Sequence, residues 1–154
     1  YAQKILDTKK SNLQIESDAH LYIARSSLEL QRFDKAKTAY EALEKIAKGV
    51  LKAESLYYKA YFKNKNKAYE NSNKVIQELT ADYASHRIWG LKGLILMAKN
   101  YDALKDAFQA TYILENIVKN YEQFPDLVEE AQGILKKINS KKTNTQTQAS
   151  QTDF

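Results

Sequence analysis

The sequence predicts an all-α fold built from antiparallel helical hairpins, and three observations support this prediction. Gly occurs four times and Pro once among the 154 residues, so the two residues that interrupt helices most strongly are nearly absent. Apolar residues recur at the three- and four-residue spacing of a helix face. One arrangement of small and large residues also recurs at intervals of 36 and 38 residues, which is typical of a repeat architecture.

The recurring arrangement defines three units without internal gaps. In each unit a small residue is followed twelve positions later by a second small residue, and large apolar residues come four and seven positions after that. The paired small residues are Ala24 and Ala36, Ala60 and Ser72, and Ala98 and Ala110. Because small side chains let two helix backbones approach closely, each pair predicts a buried crossing between the two helices of a hairpin.

The units cover approximately residues 17–48, 53–84 and 91–122, and a short polar connection divides each unit into two helices. Connections this short make consecutive helices antiparallel neighbours. Residues 1–6 are predicted to be the second helix of an earlier unit, because Ala2 precedes Ala36 by 34 residues. We therefore expect the full protein to carry further units before Tyr1.

The C-terminal end is predicted to contain a capping helix and a tail. Pro125 opens a helix over residues 125–139, at a position where the missing N–H of proline costs nothing. Charged residues lie on the helix face opposite its apolar stripe, as the end of a repeat array requires. The helical domain thus spans residues 1–140, and the polar residues 141–154 are predicted to be a disordered tail.

Composition and motifs argue against several classes of function. The net charge of +5 is spread along helix faces and forms no basic stripe, so we expect no nucleic-acid partner. No apolar run approaches the length of a membrane span. There is no Cys, and His20 and His86 lie in different units without a second ligand at helical spacing. No phosphate-binding loop or nucleophile motif occurs. The sequence therefore predicts no enzyme, no catalytic residue, no metal site and no cofactor.

The period and the spacing of small residues resemble the tetratricopeptide repeat (TPR) family over roughly residues 1–140. The first unit fits this pattern at Ala24, Phe33, Ala36 and Tyr40, and the third at Leu94, Met97, Ala98, Tyr101 and Ala110. The second unit departs from it, with Lys59 where an apolar residue is usual and Ser72 in place of Ala. The resemblance implies a right-handed solenoid of antiparallel helix hairpins.

From Arg87 to Ile138 the chain is similar to the C-terminal part of large TPR proteins of Bacteroidetes-type bacteria. The similarity is carried by the segments 108–110 and 127–131, which read Phe-Gln-Ala and Leu-Val-Glu-Glu-Ala. Those large proteins commonly carry export signals, so the resemblance implies a periplasmic or cell-envelope location. A cytoplasmic location is the alternative.

The TPR resemblance also implies a binding surface, because the first helix of each unit in such arrays lines a concave groove. Position two of the three units is Asp18, Glu54 and Lys92, and position nine is Arg25, Tyr61 and Lys99. The residues predicted to line a peptide-binding groove are Arg25, Tyr57, Tyr61, Asn64, Lys65, Lys92 and Lys99. Aromatic anchors flanked by cations suit a peptide that carries apolar side chains and a carboxylate.

The sequence therefore predicts a protein-interaction scaffold that binds a peptide or partner helix in its groove. The alternative is a structural or assembly segment of a larger envelope-associated TPR protein, with no ligand in the groove. In that case Tyr57 and Tyr61 pack between helices, and the lysines are solvated surface residues.

Overall fold

The computed structural model describes the backbone of residues 2–151 and the side chains of residues 8–146. This part of the chain contains helices and no strand, which confirms the predicted all-α class. Its seven helices are α1 (Ala2–Glu29), α2 (Phe33–Ile46), α3 (Gly49–Lys65), α4 (Tyr69–Asp82), α5 (Arg87–Ala103), α6 (Ala107–Asn120) and α7 (Pro125–Gln151). Within the described range, no helix combines the length and the apolar character needed to cross a membrane.

Short connections place each helix beside the next one. The connections are residues 30–32, 47–48, 66–68, 83–86, 104–106 and 121–124. Each helix packs against its successor in the chain, and α5 also lies against α3 and α7. α5 is therefore the central helix, with four neighbours.

Three of the connections share one backbone conformation. Gln31, Lys67 and Lys105 all have positive φ, at 55°, 59° and 66°. In each connection the following residue donates its N–H to the carbonyl five residues earlier, as in Arg32 N to Ser27 O at 2.8 Å. This pattern is the Schellman motif that ends a helix. The three residues are 36 and 38 positions apart, so the backbone repeats with the period of the sequence pattern.

The small residues of the three units lie at the helix crossings. All six of the predicted positions have no exposed surface; they are Ala24, Ala36, Ala60, Ser72, Ala98 and Ala110. The large residues that follow them at four and seven positions are also buried: Tyr40 and Leu43, Ile76 and Leu79, and Leu114 and Ile117. The predicted burial is confirmed. The second small residue of each unit and the large residues that follow it form the inner faces of α2, α4 and α6.

The N-terminal helix differs from the prediction. Residues 1–6 are predicted to belong to a separate helix, but α1 continues without a break from Ala2 to Glu29, while Tyr1 lies outside the described residues. This prediction was wrong because no Gly or Pro occurs anywhere between residues 2 and 29. Nothing in that stretch favours a turn over continued helix.

The C-terminal helix is longer than the predicted 125–139, since α7 runs to Gln151 instead of giving way to a disordered tail at residue 141. The extension is held in part by Lys141, whose Nζ donates to Asp102 Oδ2 on α5 at 3.0 Å. Within it, the hydroxyl of Thr145 donates to the carbonyl of Lys141 at 3.0 Å. The described side chains from 141 to 146 are all exposed, so this part of α7 adds little to the core.

Two glycines inside helices allow a test of the local packing. A Cβ at Gly133 on α7 would meet nothing within 4 Å, whereas a Cβ at Gly93 on α5 would lie 3.1 Å from Leu79 and 3.2 Å from Ile76. We expect Gly133→Ala to raise the free energy of unfolding by about 0.5–1 kcal/mol, from helix propensity. We expect Gly93→Ala to show no such gain, because the crowding offsets it. Urea denaturation of both variants measures the difference, and an equal gain in both would contradict the described packing.

Candidate functional site

The residues predicted to line the groove lie on three helices. Arg25 is on α1, Lys92 and Lys99 are on α5, and the other four are on α3. Because α3 lies directly against α5, the residues of these two helices can contribute to one surface. The side chains of α1 reach that surface through contacts with α3.

Six aromatic rings form a continuous cluster around α3. This aromatic cluster consists of Tyr40, Tyr57, Tyr58, Tyr61, Phe62 and Trp89. Tyr58 is its centre: it stacks on Tyr40 at a centroid distance of 4.3 Å and meets Trp89 edge-on at 6.1 Å. Tyr57 lies 5.6 Å from Trp89. The predicted anchors Tyr57 and Tyr61 are thus half-buried parts of a larger aromatic assembly.

Two of the predicted lysines lie over aromatic faces. Lys92 Nζ is 4.6 Å from the centroid of Trp89. Lys65 Nζ is 5.4 Å from the centroid of Tyr61 and 5.9 Å from that of Phe33. Cations at these distances are attracted to the negative face of the ring. The structure therefore brings Tyr57 and Lys92 together through Trp89, and Tyr61 together with Lys65.

Arg25 is held by a buried carboxylate. Its Nη2 and Nε donate to the two oxygens of Glu54 at 2.6 and 2.9 Å, and the hydroxyl of Tyr40 donates to Glu54 Oε1 at 2.9 Å. Glu54 is 2% exposed, whereas the Arg25 side chain is 56% exposed. Hydrogen bonding to Glu54 raises the pKa of Arg25. Burial, followed by the charge of Glu54, raises the pKa of Tyr40 well above its usual range.

Lys99 makes the equivalent ion pair at the other end of this surface. Its Nζ donates to Glu130 Oε1 on α7 at 2.8 Å. Glu130 follows Lys92 by 38 residues, as Lys92 follows Glu54, so Glu130 occupies position two in the register of the repeat. Arg25 and Lys99 both occupy position nine, and each binds the position-two carboxylate of the next odd-numbered helix.

Asn64 belongs to an internal network of polar side chains. Its Nδ2 donates to Asn100 Oδ1 at 2.6 Å, and Asn100 in turn donates to Ser72 Oγ at 2.9 Å and to Asn73 Oδ1 at 2.7 Å. The Ser72 hydroxyl donates to the carbonyl of Ala60 at 2.8 Å. Asn100 and Ser72 have no exposed surface. The amide of Asn64 is therefore engaged with α5.

Several residues of this region were not among the predicted site residues, and three of them show which signals the sequence offered. Trp89 lies on an apolar helix, which favours a place in the core, yet it is only half-buried and carries Lys92 on its face. Glu130 could have been found by extending the 38-residue interval from Lys92 into the capping helix. Asn100 offered no signal in the sequence, because the equivalent residues of the other two units are Ser26 and Phe62, which share no residue type with it.

A separate pocket of about 230 Å³ lies between α2 and α3. Lys37, Lys59 and Lys63 line it, together with Glu41 and Glu44. Lys59 donates to Glu44 at 2.9 Å, so part of the positive charge of the pocket is already paired. None of the seven predicted groove residues lines this pocket, and we place the candidate site on the aromatic cluster and its lysines.

The candidate site offers aromatic rings, cations and hydrogen-bond donors. Among the side chains the structure describes, no group of three or more His, Asp and Glu residues could hold a metal ion. In comparisons with known proteins, no family model, no curated protein and no solved structure matches the chain.

Proposed function

We propose that this chain is a TPR-like right-handed solenoid and a protein-interaction scaffold, which binds a peptide or partner helix on the surface shared by α1, α3 and α5. Three features support the repeat architecture. The same Schellman connection occurs at Gln31, Lys67 and Lys105. The small residues of all three units are fully buried. Helices also pack only against near neighbours along the chain.

The observation that carries the binding function is the half-buried edge of the aromatic cluster. Tyr57 and Trp89 keep part of their rings exposed, and neither the Tyr57 hydroxyl nor the Trp89 indole N–H donates a hydrogen bond to any described residue. Burial, with a smaller effect of Tyr58, raises the pKa of Tyr57, so its hydroxyl stays a donor. Large, rigid rings with unused donors are characteristic of the residues that anchor protein partners.

A second candidate function is assembly through the outer face of α1. This face carries Ile15 and Tyr22, which are 64% and 76% exposed, opposite the side of α1 that packs on α2. At the other end of the chain, the outward residues of α7 include Glu129, Lys136 and Lys137, which are charged. The apolar outer face of α1, in contrast to the charged outer face of α7, favours a structural role for the α1 end.

We test the binding function by selecting random peptides that are displayed on phage. The same experiment separates the two candidate functions. We expect selected peptides to lose roughly tenfold or more in affinity for Tyr57→Ala, because truncating a central aromatic anchor typically removes that much. Affinity is measured by fluorescence of Trp89, the only Trp in the chain, and circular dichroism verifies that each variant folds.

The matched control is Tyr112→Ala, which removes an exposed ring from α6 and should leave affinity unchanged. Tyr22→Ala tests the face of α1 in the same way. Peptides that bind Tyr57→Ala normally but fail to bind Tyr22→Ala would overturn the proposed site and favour the second candidate. Failure to select any peptide would count against the groove function itself.

A further inference from the structure

The junction between α3 and α5 differs from its two neighbours in charge. At the junctions of α1 with α3 and of α5 with α7, a base at position nine binds an acid at position two of the next unit. At the α3–α5 junction these positions are Tyr61 and Lys92. A neutral ring thus replaces the base, and a base replaces the acid.

Lys92 therefore stands where the flanking junctions have a carboxylate. Its counterpart at position nine, Tyr61, is neutral and supplies no negative charge. The Lys92 ammonium lies over the Trp89 ring at 4.6 Å and makes no ion pair with a described residue. A ring face stabilises a cation less than a hydrogen-bonded carboxylate does. The positive charge of Lys92 is consequently only partly compensated within the part of the chain that the structure describes.

Three hydrogen-bond donors of this junction have no acceptor among the described residues. They are the Lys92 ammonium, the Trp89 indole N–H and the Tyr57 hydroxyl, and the rings of Tyr57 and Trp89 are 5.6 Å apart. Glu130 is close enough to raise the pKa of Tyr57, but its carboxylate already accepts from Lys99. A partner group that also compensates the charge of Lys92 would be an acceptor with negative charge.

Three other cations of this surface are paired with carboxylates. Arg25 is held by Glu54, Lys99 by Glu130 and Lys141 by Asp102. Lys65 lies between Tyr61 and Phe33, away from Trp89. Lys65 and Lys92 thus both lack a carboxylate partner, and Lys92 is the one that lies beside the partly exposed rings of Tyr57 and Trp89.

We infer that an acidic side chain of a partner protein completes the α3–α5 junction, its carboxylate accepting from Lys92 and its neighbouring apolar groups lying on Tyr57 and Trp89. We assign a side-chain carboxylate because the two flanking junctions are closed by Glu side chains. This inference rests on the proposed function. It adds the chemistry of the partner and identifies the junction that binds the partner's carboxylate.

The experiment uses peptides selected by phage display, in which the peptide C-terminus is fused and offers no free carboxylate. We expect Asp or Glu to be enriched at one position of the selected peptides. Synthetic, amidated versions should bind the wild-type chain roughly tenfold more tightly than their Glu→Gln counterparts, the typical effect of a charge-assisted hydrogen bond. That ratio should fall to about one in Lys92→Met, because the two groups act on each other. Affinity should also decrease as salt is added.

Lys119→Met is the matched control, because it removes an exposed Lys from α6 and should preserve the tenfold ratio. A ratio that is equal in the wild-type chain and in Lys92→Met would overturn the inference. If selected peptides depend on Tyr57 but show no preference for acids, this inference fails while the proposed function stands. If no peptide is selected, both fail.

Discussion

Replacing Arg25 with Met is expected to lower the free energy of unfolding by about 2–3 kcal/mol. The substitution leaves Glu54, which is 2% exposed, with the Tyr40 hydroxyl as its remaining hydrogen-bond partner. Removing one member of a buried pair typically costs about 3–5 kcal/mol, because the other charge stays buried without compensation. We expect the lower value because Arg25 itself is 56% exposed and water screens part of the pair. Urea denaturation followed by circular dichroism measures the change.

Lys99→Met is the matched control for this prediction. Lys99 has the same repeat position and the same kind of partner, but both side chains of its pair with Glu130 are 45% exposed. An exposed pair contributes about 1 kcal/mol or less, so this variant should lose little stability. Equal losses in Arg25→Met and Lys99→Met would contradict the view that burial of Glu54 sets the difference.

Replacing Asn100 with Leu is expected to have an effect of similar size, about 3 kcal/mol. Leu branches at Cγ as Asn does, but it is larger and cannot replace the three hydrogen bonds to Asn64, Ser72 and Asn73. Each buried polar group left without a partner costs about 1–3 kcal/mol, and Asn64 can recover part of this by turning to water.

The corresponding control is Asn120→Leu, since Asn120 is exposed and its side chain donates only to the carbonyl of Asn116 within α6. Surface substitutions of this kind change stability by roughly 0.5 kcal/mol or less. Thermal and urea unfolding of the two variants provide the comparison. A stability of Asn100→Leu equal to that of the wild-type chain would mean that the network contributes nothing net to the fold.

The hairpins could be predicted from the sequence because small residues leave a periodic signal. Ala24 and Ala36 recur as Ala60 and Ser72 and again as Ala98 and Ala110, and only small residues fit at a close helix crossing. Burial of a whole face also constrains the large residues four and seven positions later. The class and the crossing points were therefore accessible without coordinates.

The two departures of the second unit from the repeat pattern show what the sequence could not reveal. Lys59, where an apolar residue is expected, is compensated by Glu44 at 2.9 Å. Ser72, in place of Ala, serves the network around Asn100. Both compensating residues are at least 15 positions away in the chain, and a pattern of residue types does not encode such pairings.

The same distinction applies to the candidate site. The repeat register correctly predicted that the site residues of α3 and α5 lie on neighbouring helices. The position of a residue within a unit determines which helix carries it. The register could not predict that Arg25 and Lys99 are bound by acids while Lys92 is not. Whether a charge is compensated depends on side-chain geometry across helices, and here it distinguishes one junction from its neighbours.

The restriction of packing to near neighbours also affects how the chain folds and opens. No described helix lies closely against one more than two places along the chain, so native contacts form by closing short loops at low entropic cost, and folding should be fast. The backbone of α1 approaches only α2, whereas α5 is held by α3, α4, α6 and α7. Partial unfolding should therefore start at the ends, and the surface around Trp89 belongs to the segment that exchanges its amide hydrogens last.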